Sequence, residues 1–371
     1  MGRRWPDALH HGGHVSDASA AACEGARLLK ALLLTDYRQL SIVDTPMPQV
    51  GDEDVLVRVR ACGICGSDVH GYDGSTGRRI PPLVMGHEAS GVIEALGKGV
   101  REFAHGDRVT FDSTVSCGDC AFCRAGRTNL CDRRTIFGVS CGDFRRHGAF
   151  AEFVSVPARI LYRLPEQLPY EHAALIEALS VAVHAVGLHP PAPSDTLVVI
   201  GCGMIGLLVI QVLRDRGCQS IIAVDLDPSR RRMATDLGAS ATLDGAAADV
   251  GAEIRALTGG RGVDQAFEAV GITATVTAAI RSVRKGGVVT IIGNLLPVVQ
   301  IPVQEVVTRE LSLLGSCSSS GEYPQSIDLL ARGAVTVAPL VSAIAPLEDG
   351  PLWFDRLHAG ASDVMKVVLK P

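Results

Sequence analysis

The stretch TLVVIGCGMIGLLVIQVLRDRG, residues 196–217, constrains the fold more than any other. An apolar run of strand length meets Gly201, Gly203 and Gly206 in the spacing G-x-G-x-x-G, and a helical segment opens at Met204 and Ile205. The first glycine permits a tight turn, the second lets a pyrophosphate approach the backbone, and the third lets helix pack on strand. A membrane span has the same apolarity but no use for glycines at this spacing, so strand, turn and helix is the reading taken. The pattern then repeats: strand SIIAVD, helix SRRRMATDLGA, short strand ATL, a helix around 248–258, VDQAFEAVG, a helix near 273–284, GGVVTIIGN, and ELSLLGSC as a last strand. Strands alternating with helices predict an α/β fold with a parallel, doubly wound sheet.

Upstream the texture differs. VLVRVRAC alternates with period two, and SGVIEAL, DRVTF and FAEFVSV read as further strands punctuated by Gly and Pro. Four segments result: 1–29, a disordered extension or misplaced gene start; 30–164, a β-rich domain; 165–316, the dinucleotide-binding domain; and 317–371, a helix and strand returning to the first domain. His10, His11 and His14 fall in the extension and are read as tail rather than metal ligands.

A net charge of −5 gives no basic footprint for nucleic acid. The first residues contain no continuous apolar signal region, so a cytoplasmic, reducing location is expected, with no membrane partner. In that compartment eleven cysteines read as metal binding or catalysis rather than disulfides.

The helix after Gly203 offers free N–H groups and a positive dipole end to phosphates. Asp225, nineteen residues past Gly206, ends the next strand, where a carboxylate accepts hydrogen bonds from the adenosine ribose diol. Its charge disfavours a 2′-phosphate, so NAD is expected over NADP. Arg230, Arg231 and Arg232 lie close by and complicate that choice, although a helix turns some of them to solvent. By the rule for open α/β sheets, the strand ends at Val270 and Gly293 lie beside the nicotinamide.

SCGDCAFCRAGRTNLC holds Cys117, Cys120, Cys123 and Cys131 in the spacing C-x2-C-x2-C-x7-C. Four thiolates on one short loop satisfy tetrahedral zinc completely, so that site is structural. ACGICGSDVH, residues 61–70, then needs another explanation. A redox role for Cys62 and Cys65 is one alternative; Cys62 as a small buried residue beside a metal site is the other. Cys65, His87, Glu88 and Glu177 together form the one-Cys, one-His, carboxylate set of an open, catalytic zinc site.

Cys65-Gly-Ser-Asp-Val-His, Gly86-His87-Glu88, the cysteine quartet and the glycine motif occur in that order. The chain from about residue 30 to 371 thereby resembles the zinc-containing medium-chain alcohol dehydrogenases. Glu177, where alcohol dehydrogenases of the family carry Cys, moves the resemblance toward the sorbitol (polyol) dehydrogenase branch. It implies a GroES-like catalytic domain beside a Rossmann domain, two zinc ions per chain, NAD, a small alcohol substrate and a homo-oligomer, dimer or tetramer. It makes Cys65 and His87 zinc ligands, Glu88 a direct or exchangeable ligand, and Glu177 a ligand directly or through water. Ser67 would begin the proton relay, Asp68 would orient His87, and His70 would pass the proton to solvent.

Two departures stand out. Ala178 replaces the proline that follows the ligand Glu in that branch. Cys317, Ser318 and Ser319 replace a Phe-Arg-Tyr whose Arg and Tyr engage polyol hydroxyls, which puts sorbitol itself in doubt. The expected activity is oxidation of a secondary alcohol in a polyol to a ketone. The rivals are a simple secondary alcohol, a 1,2-diol or threonine as substrate, and, more remotely, a non-catalytic zinc- and nucleotide-binding protein.

Overall fold

The computed structural model describes residues 27–140 and 145–371. The expectations for His10, His11 and His14 lie outside the described residues. Two sheets organise the chain. The second is six-stranded and parallel, in the spatial order Ala241–Asp244, Ser220–Asp225, Thr196–Ile200, Val263–Glu268, Val283–Ile291, Ser312–Gly315. In chain order this is 3-2-1-4-5-6, with the direction of winding reversing between Thr196–Ile200 and Val263–Glu268.

Both faces of this sheet are covered, which is why Thr196–Ile200 and most of Ser220–Asp225 read as unbroken apolar runs. Leu197, Val199, Ile221 and Ala223 pack one way, with helices Ile176–Gly187 and Met204–Asp215. Val198, Ile200, Ile222 and Val224 pack the other way, with Thr273–Ser282 and Val250–Leu257. The apolar stretch 197–213 is therefore strand, turn and helix, and no helix among the described residues is long and apolar enough to cross a membrane.

The first sheet has seven strands and is mixed. Asp54–Gly63 lies at its centre, pairing antiparallel with Glu88–Leu96, Phe153–Pro157 and the final strand Lys366–Lys370. Val341–Pro346 pairs parallel with Lys366–Lys370. Within the C-terminal segment, helix Tyr323–Ala331 packs in the core of the nucleotide-sheet half, and the return to the first sheet begins at Val341. The period-two pattern of VLVRVRAC is only partly expressed: Val55, Leu56 and Val57 are all buried, because the central strand is covered on both faces, and exposure reaches only Arg60 fully.

Candidate active site

Strand Asp54–Gly63 ends where the short helix Gly66–Tyr72 begins, and Cys65 is that helix's N-cap. Asp68, in its first turn, accepts from the Cys65 amide at 3.4 Å. His87 and Glu88 arrive from the neighbouring strand Glu88–Leu96, preceded by Gly86 at φ +92°. A side chain there would be strained, and its Cβ would lie 2.8 Å from Phe150 and 2.9 Å from Cys62 Sγ. Cys62 is thus a fully buried packing residue against this turn.

These elements bring one ligating atom each of Cys65, His87 and Glu88 within 4.8 Å of one another. His87 Nδ1 faces Asp68 Oδ1 at 3.5 Å, an electrostatic contact rather than a formed hydrogen bond. Burial opposes a charge on His87, but Asp68 and the Cys65 thiolate outweigh it and raise its pKa. A pocket that pulls a proton onto a buried imidazole is one that suits a cation, and thiolate, imidazole and carboxylate are donors zinc accepts.

Glu88 is not free. Lys366, buried in the final strand, donates to its Oε1 at 2.9 Å and Oε2 at 2.7 Å, and also to the Ile64 carbonyl at 3.0 Å. Glu177 is buried at the start of helix Ile176–Gly187 and accepts from Ser113 Oγ at 3.2 Å, but it is not among the atoms converging within 4.8 Å. Burial raises its pKa. Beside it, burial pushes the Asp112 carboxyl up to about 7. Asp68 is fully buried; burial alone would raise its pKa, but His87 and Arg79 drive it far below the usual carboxylate range. Ser67 and His70, three apart on the exposed face of the short helix, are neighbours on its surface.

The cysteine quartet forms a second cluster, with the four sulfurs within 4.8 Å. Amides of Cys117 and Arg133 donate to Cys131 Sγ at 3.2 and 3.3 Å, and the Cys123 amide to Cys120 Sγ at 3.5 Å. The Cys123 amide leads the interactions that lower Cys120 to about 6, so thiolate is already favoured there. The loop docks on the segment after the last nucleotide-sheet strand. Thr128 N donates to Ser320 Oγ at 2.9 Å, and Asn129 Nδ2 to the Cys317 carbonyl at 2.7 Å. In that segment Ser318 has φ +53° and Ser319 is buried.

At the carboxyl ends of the parallel strands, Gly201, Val270 and Gly293 meet. Gly201 has φ +94°, and a Cβ on it would lie 2.5 Å from Val270 Cγ2; a Cβ on Gly293 would lie 2.2 Å from the Val270 carbonyl carbon. Gly206 approaches so closely that its Cβ would sit 1.8 Å from Gly201 O, whereas Gly203 faces open space. That is a cradle for a pyrophosphate at the start of helix Met204–Asp215. Asp225 Oδ2 accepts from Cys202 N at 2.7 Å, fixing the carboxylate beside the cradle. Arg231 is turned back onto the Asp225 and Leu226 carbonyls at 2.7 and 2.9 Å and toward Asp244 at 3.4 Å. Arg232 is exposed, and the buried Nε of Arg230 has no hydrogen-bond partner.

Four residues of this site escape sequence reasoning: Arg79, Lys366, Asp112 and Glu268. Glu268 accepts from the amides of Val270 and Gly271 at 2.9 and 2.8 Å and from Thr275 Oγ1 at 2.7 Å, and so shapes the loop beside Gly293.

Comparison with known proteins gives two domain matches: the alcohol dehydrogenase GroES-like domain over residues 51–166, and the zinc-binding dehydrogenase domain over 205–332. A sorbitol dehydrogenase of Bacillus subtilis (strain 168) is 34% identical over 350 residues, covering 92% of this chain and 97% of that one. A zinc-binding dehydrogenase structure from Sinorhizobium meliloti 1021, bound to NADP, superposes with a TM-score of 0.85 at 34% identity, over 93% of this chain and 100% of that one. The 2R,3R-butanediol dehydrogenase of Bacillus subtilis gives a TM-score of 0.81 at 31% identity, over 92% and 99%.

The Glu88–Lys366 pair is open to direct test. Lys366→Met strands a buried carboxylate and is expected to lower the unfolding free energy by about 3–5 kcal/mol. Glu88→Gln in the same background should recover most of that loss. Equal losses from Lys366→Met with and without Glu88→Gln, measured by urea unfolding, would show that the pair has no coupling.

Proposed function

The chain belongs to the zinc-containing medium-chain dehydrogenases, a GroES-like domain joined to a zinc-binding dehydrogenase domain, and from that membership we propose that it oxidises a secondary hydroxyl of a polyol or vicinal diol to the ketone, with NAD as acceptor. The observation that carries this is the convergence of Cys65, His87 and Glu88, with Ser67 two residues after Cys65, in a chain whose parallel sheet also carries the glycine cradle at Gly201, Val270 and Gly293. When bound, zinc supplies a Lewis acid for the alcohol oxygen and the nicotinamide supplies the hydride acceptor. The residues do the rest. Cys65 and His87 would hold the metal, with Glu88, which Lys366 engages here, as a direct or exchangeable ligand. Glu177, further away, acts through a water. Asp68 fixes His87. Ser67 accepts the alcohol proton while giving up its own, and His70 passes it to solvent.

A polyol suits this site because Glu177 in place of Cys leaves the metal harder and more accessible to oxygen donors. The relatives that act on sorbitol and butanediol support the same class. Ser318 in place of the branch's arginine favours an alditol other than sorbitol. NAD is favoured by Asp225 and by Arg231 being engaged elsewhere; the NADP-bound relative and the unpartnered Arg230 Nε mark the way the preference could run otherwise.

Steady-state kcat/KM for alditols, 1,2-diols, 2-propanol and threonine, each with NAD and with NADP, tests both choices. An alditol with NAD should lead. A lead for 2-propanol moves the assignment to general alcohol oxidation, and a lead for threonine to another branch. A lead for NADP gives Arg230 the 2′-phosphate; Asp225→Ser should narrow whichever preference exists.

Two zinc ions per chain are proposed, one at each ligand cluster. Elemental analysis should return two. Cys65→Ser should return one, with the fold intact and activity nearly abolished. Cys120→Ser should give poorly soluble protein, because a closed zinc site contributes directly to folding. A single zinc in the unaltered protein overturns the two-site reading.

A homo-oligomer is proposed through the edge strand Ser312–Gly315 and the exposed apolar residues Leu295, Leu296, Val298, Val303 and Val307 next to it. Light scattering should give a dimer or tetramer mass. Val298→Lys with Val307→Lys should lower it, and a monomer mass for the unaltered protein excludes the assembly.

A further inference from the structure

Arg79 stands in no recognisable motif, yet it is only 2% exposed. Its Nε and Nη2 both donate to Asp68 Oδ1, at 3.0 and 2.8 Å, and Nη2 also donates to Ser67 Oγ at 3.0 Å. Its remaining nitrogen, Nη1, donates to the Arg78 carbonyl at 3.3 Å. The guanidinium therefore joins the carboxylate behind His87 to the hydroxyl in front of the metal site. Room for it is made by Gly71, whose Cβ would lie 2.3 Å from Arg79 Cγ.

We propose that Arg79 is a positioning residue for the proton relay, acting through Ser67. This rests on the relay role proposed above for Ser67. A serine hydroxyl has one proton and two lone pairs. Arg79 has no acceptor and cannot lose its proton at working pH, so it occupies one lone pair of Ser67 permanently. What remains is one lone pair and one proton, the two that a relay needs. The free lone pair takes the proton of the alcohol, the Ser67 O–H bond breaks outward toward His70 or a cofactor hydroxyl, and Ser67 ends the step neutral. Without Arg79 the hydroxyl can rotate and offer its proton to the alcohol oxygen, an orientation that cannot accept. The cationic donor also steadies the partial negative charge on Oγ as one proton arrives and the other leaves.

A purely structural Arg79 would act through Asp68, His87 and the metal. The two roles separate in a double-mutant cycle between Arg79 and Ser67. The variants are Arg79→Met, Ser67→Ala, the double variant, Arg79→Lys and Gly71→Ala. For each, zinc per chain, kcat, KM for NAD and the solvent deuterium isotope effect on kcat/KM are measured. Arg79→Met should keep its zinc and its KM for NAD, while kcat falls about 10- to 100-fold, the range for losing one charge-assisted hydrogen bond. Its solvent isotope effect should rise. The double variant should be no slower than Ser67→Ala. Arg79→Lys should recover only part of kcat, since one ammonium cannot reproduce the fork. Gly71→Ala, which keeps every charge, should lower kcat in the same direction.

If Arg79→Met folds poorly, Arg79→Lys and Gly71→Ala are each combined with Ser67→Ala and decide the question alone. Losses that persist in full in the Ser67→Ala background, or that track lost zinc, overturn the proposal, as does an unchanged kcat at full zinc. An unchanged kcat in Ser67→Ala itself instead overturns the relay reading.

Discussion

Charge balance around one buried point governs the arrangement. Asp68, Glu88 and Glu177 bring three buried carboxyl groups into the region around Cys65. Arg79 and Lys366, both nearly inaccessible, return two positive charges. Burying an uncompensated charge costs several kcal/mol, so no member of this set can be removed without the others responding. Each cation has a distinct anion: Lys366 serves Glu88, and Arg79 serves Asp68.

How this set is assembled explains the unusual route of the chain. Cys65 follows a central strand of the first sheet and His87 precedes its neighbour, but Glu177 arrives on a helix packed against the nucleotide sheet. Lys366 comes from a strand that pairs with Cys62 and Gly63 only after the chain has built the whole second sheet. The first domain cannot complete its own charge balance from residues 30–164; it needs the returning strand. Register in that last pairing then matters chemically. A slip of one residue would turn Lys366 away from Glu88 and leave the carboxylate unpaired.

Much of this was legible in the sequence, and the part that was not has a common cause. The glycine motif and the cysteine quartet were readable because all their geometry lies within one turn or loop, so spacing stands in for shape. The parallel, doubly wound character of the second sheet followed from strands alternating with helices, whereas its strand order came only with the structure. Arg79, Lys366, Asp112 and Glu268 were hidden because their roles depend on partners brought by the fold. Lys366 lies 278 residues from Glu88, and nothing in the apolar run around it names its partner. Arg79 is only eleven residues from Asp68, but the connecting loop has no period that would aim its side chain. The same limit applies to Glu177, whose residue type was informative while its distance from the converging ligands was not.

The cysteine quartet also has a bearing on substrate choice. Its loop is hydrogen-bonded through Thr128 and Asn129 to Ser320 and Cys317, on either side of the Ser318 and Ser319 that replace the branch's Arg and Tyr. Ser318 is held in left-handed backbone, a conformation costly for a serine unless its surroundings impose it. Hydrogen bonds to the loop flank it on both sides. The quartet proposed to hold a structural zinc is thus tied by hydrogen bonds to the backbone of a segment that the proposed substrate would meet. A short hydroxyl side chain on a rigid backbone selects by position rather than by reach. Such a wall discriminates alditols by the stereochemistry of a hydroxyl near it more sharply than by chain length, whereas a flexible guanidinium in the same place would tolerate either.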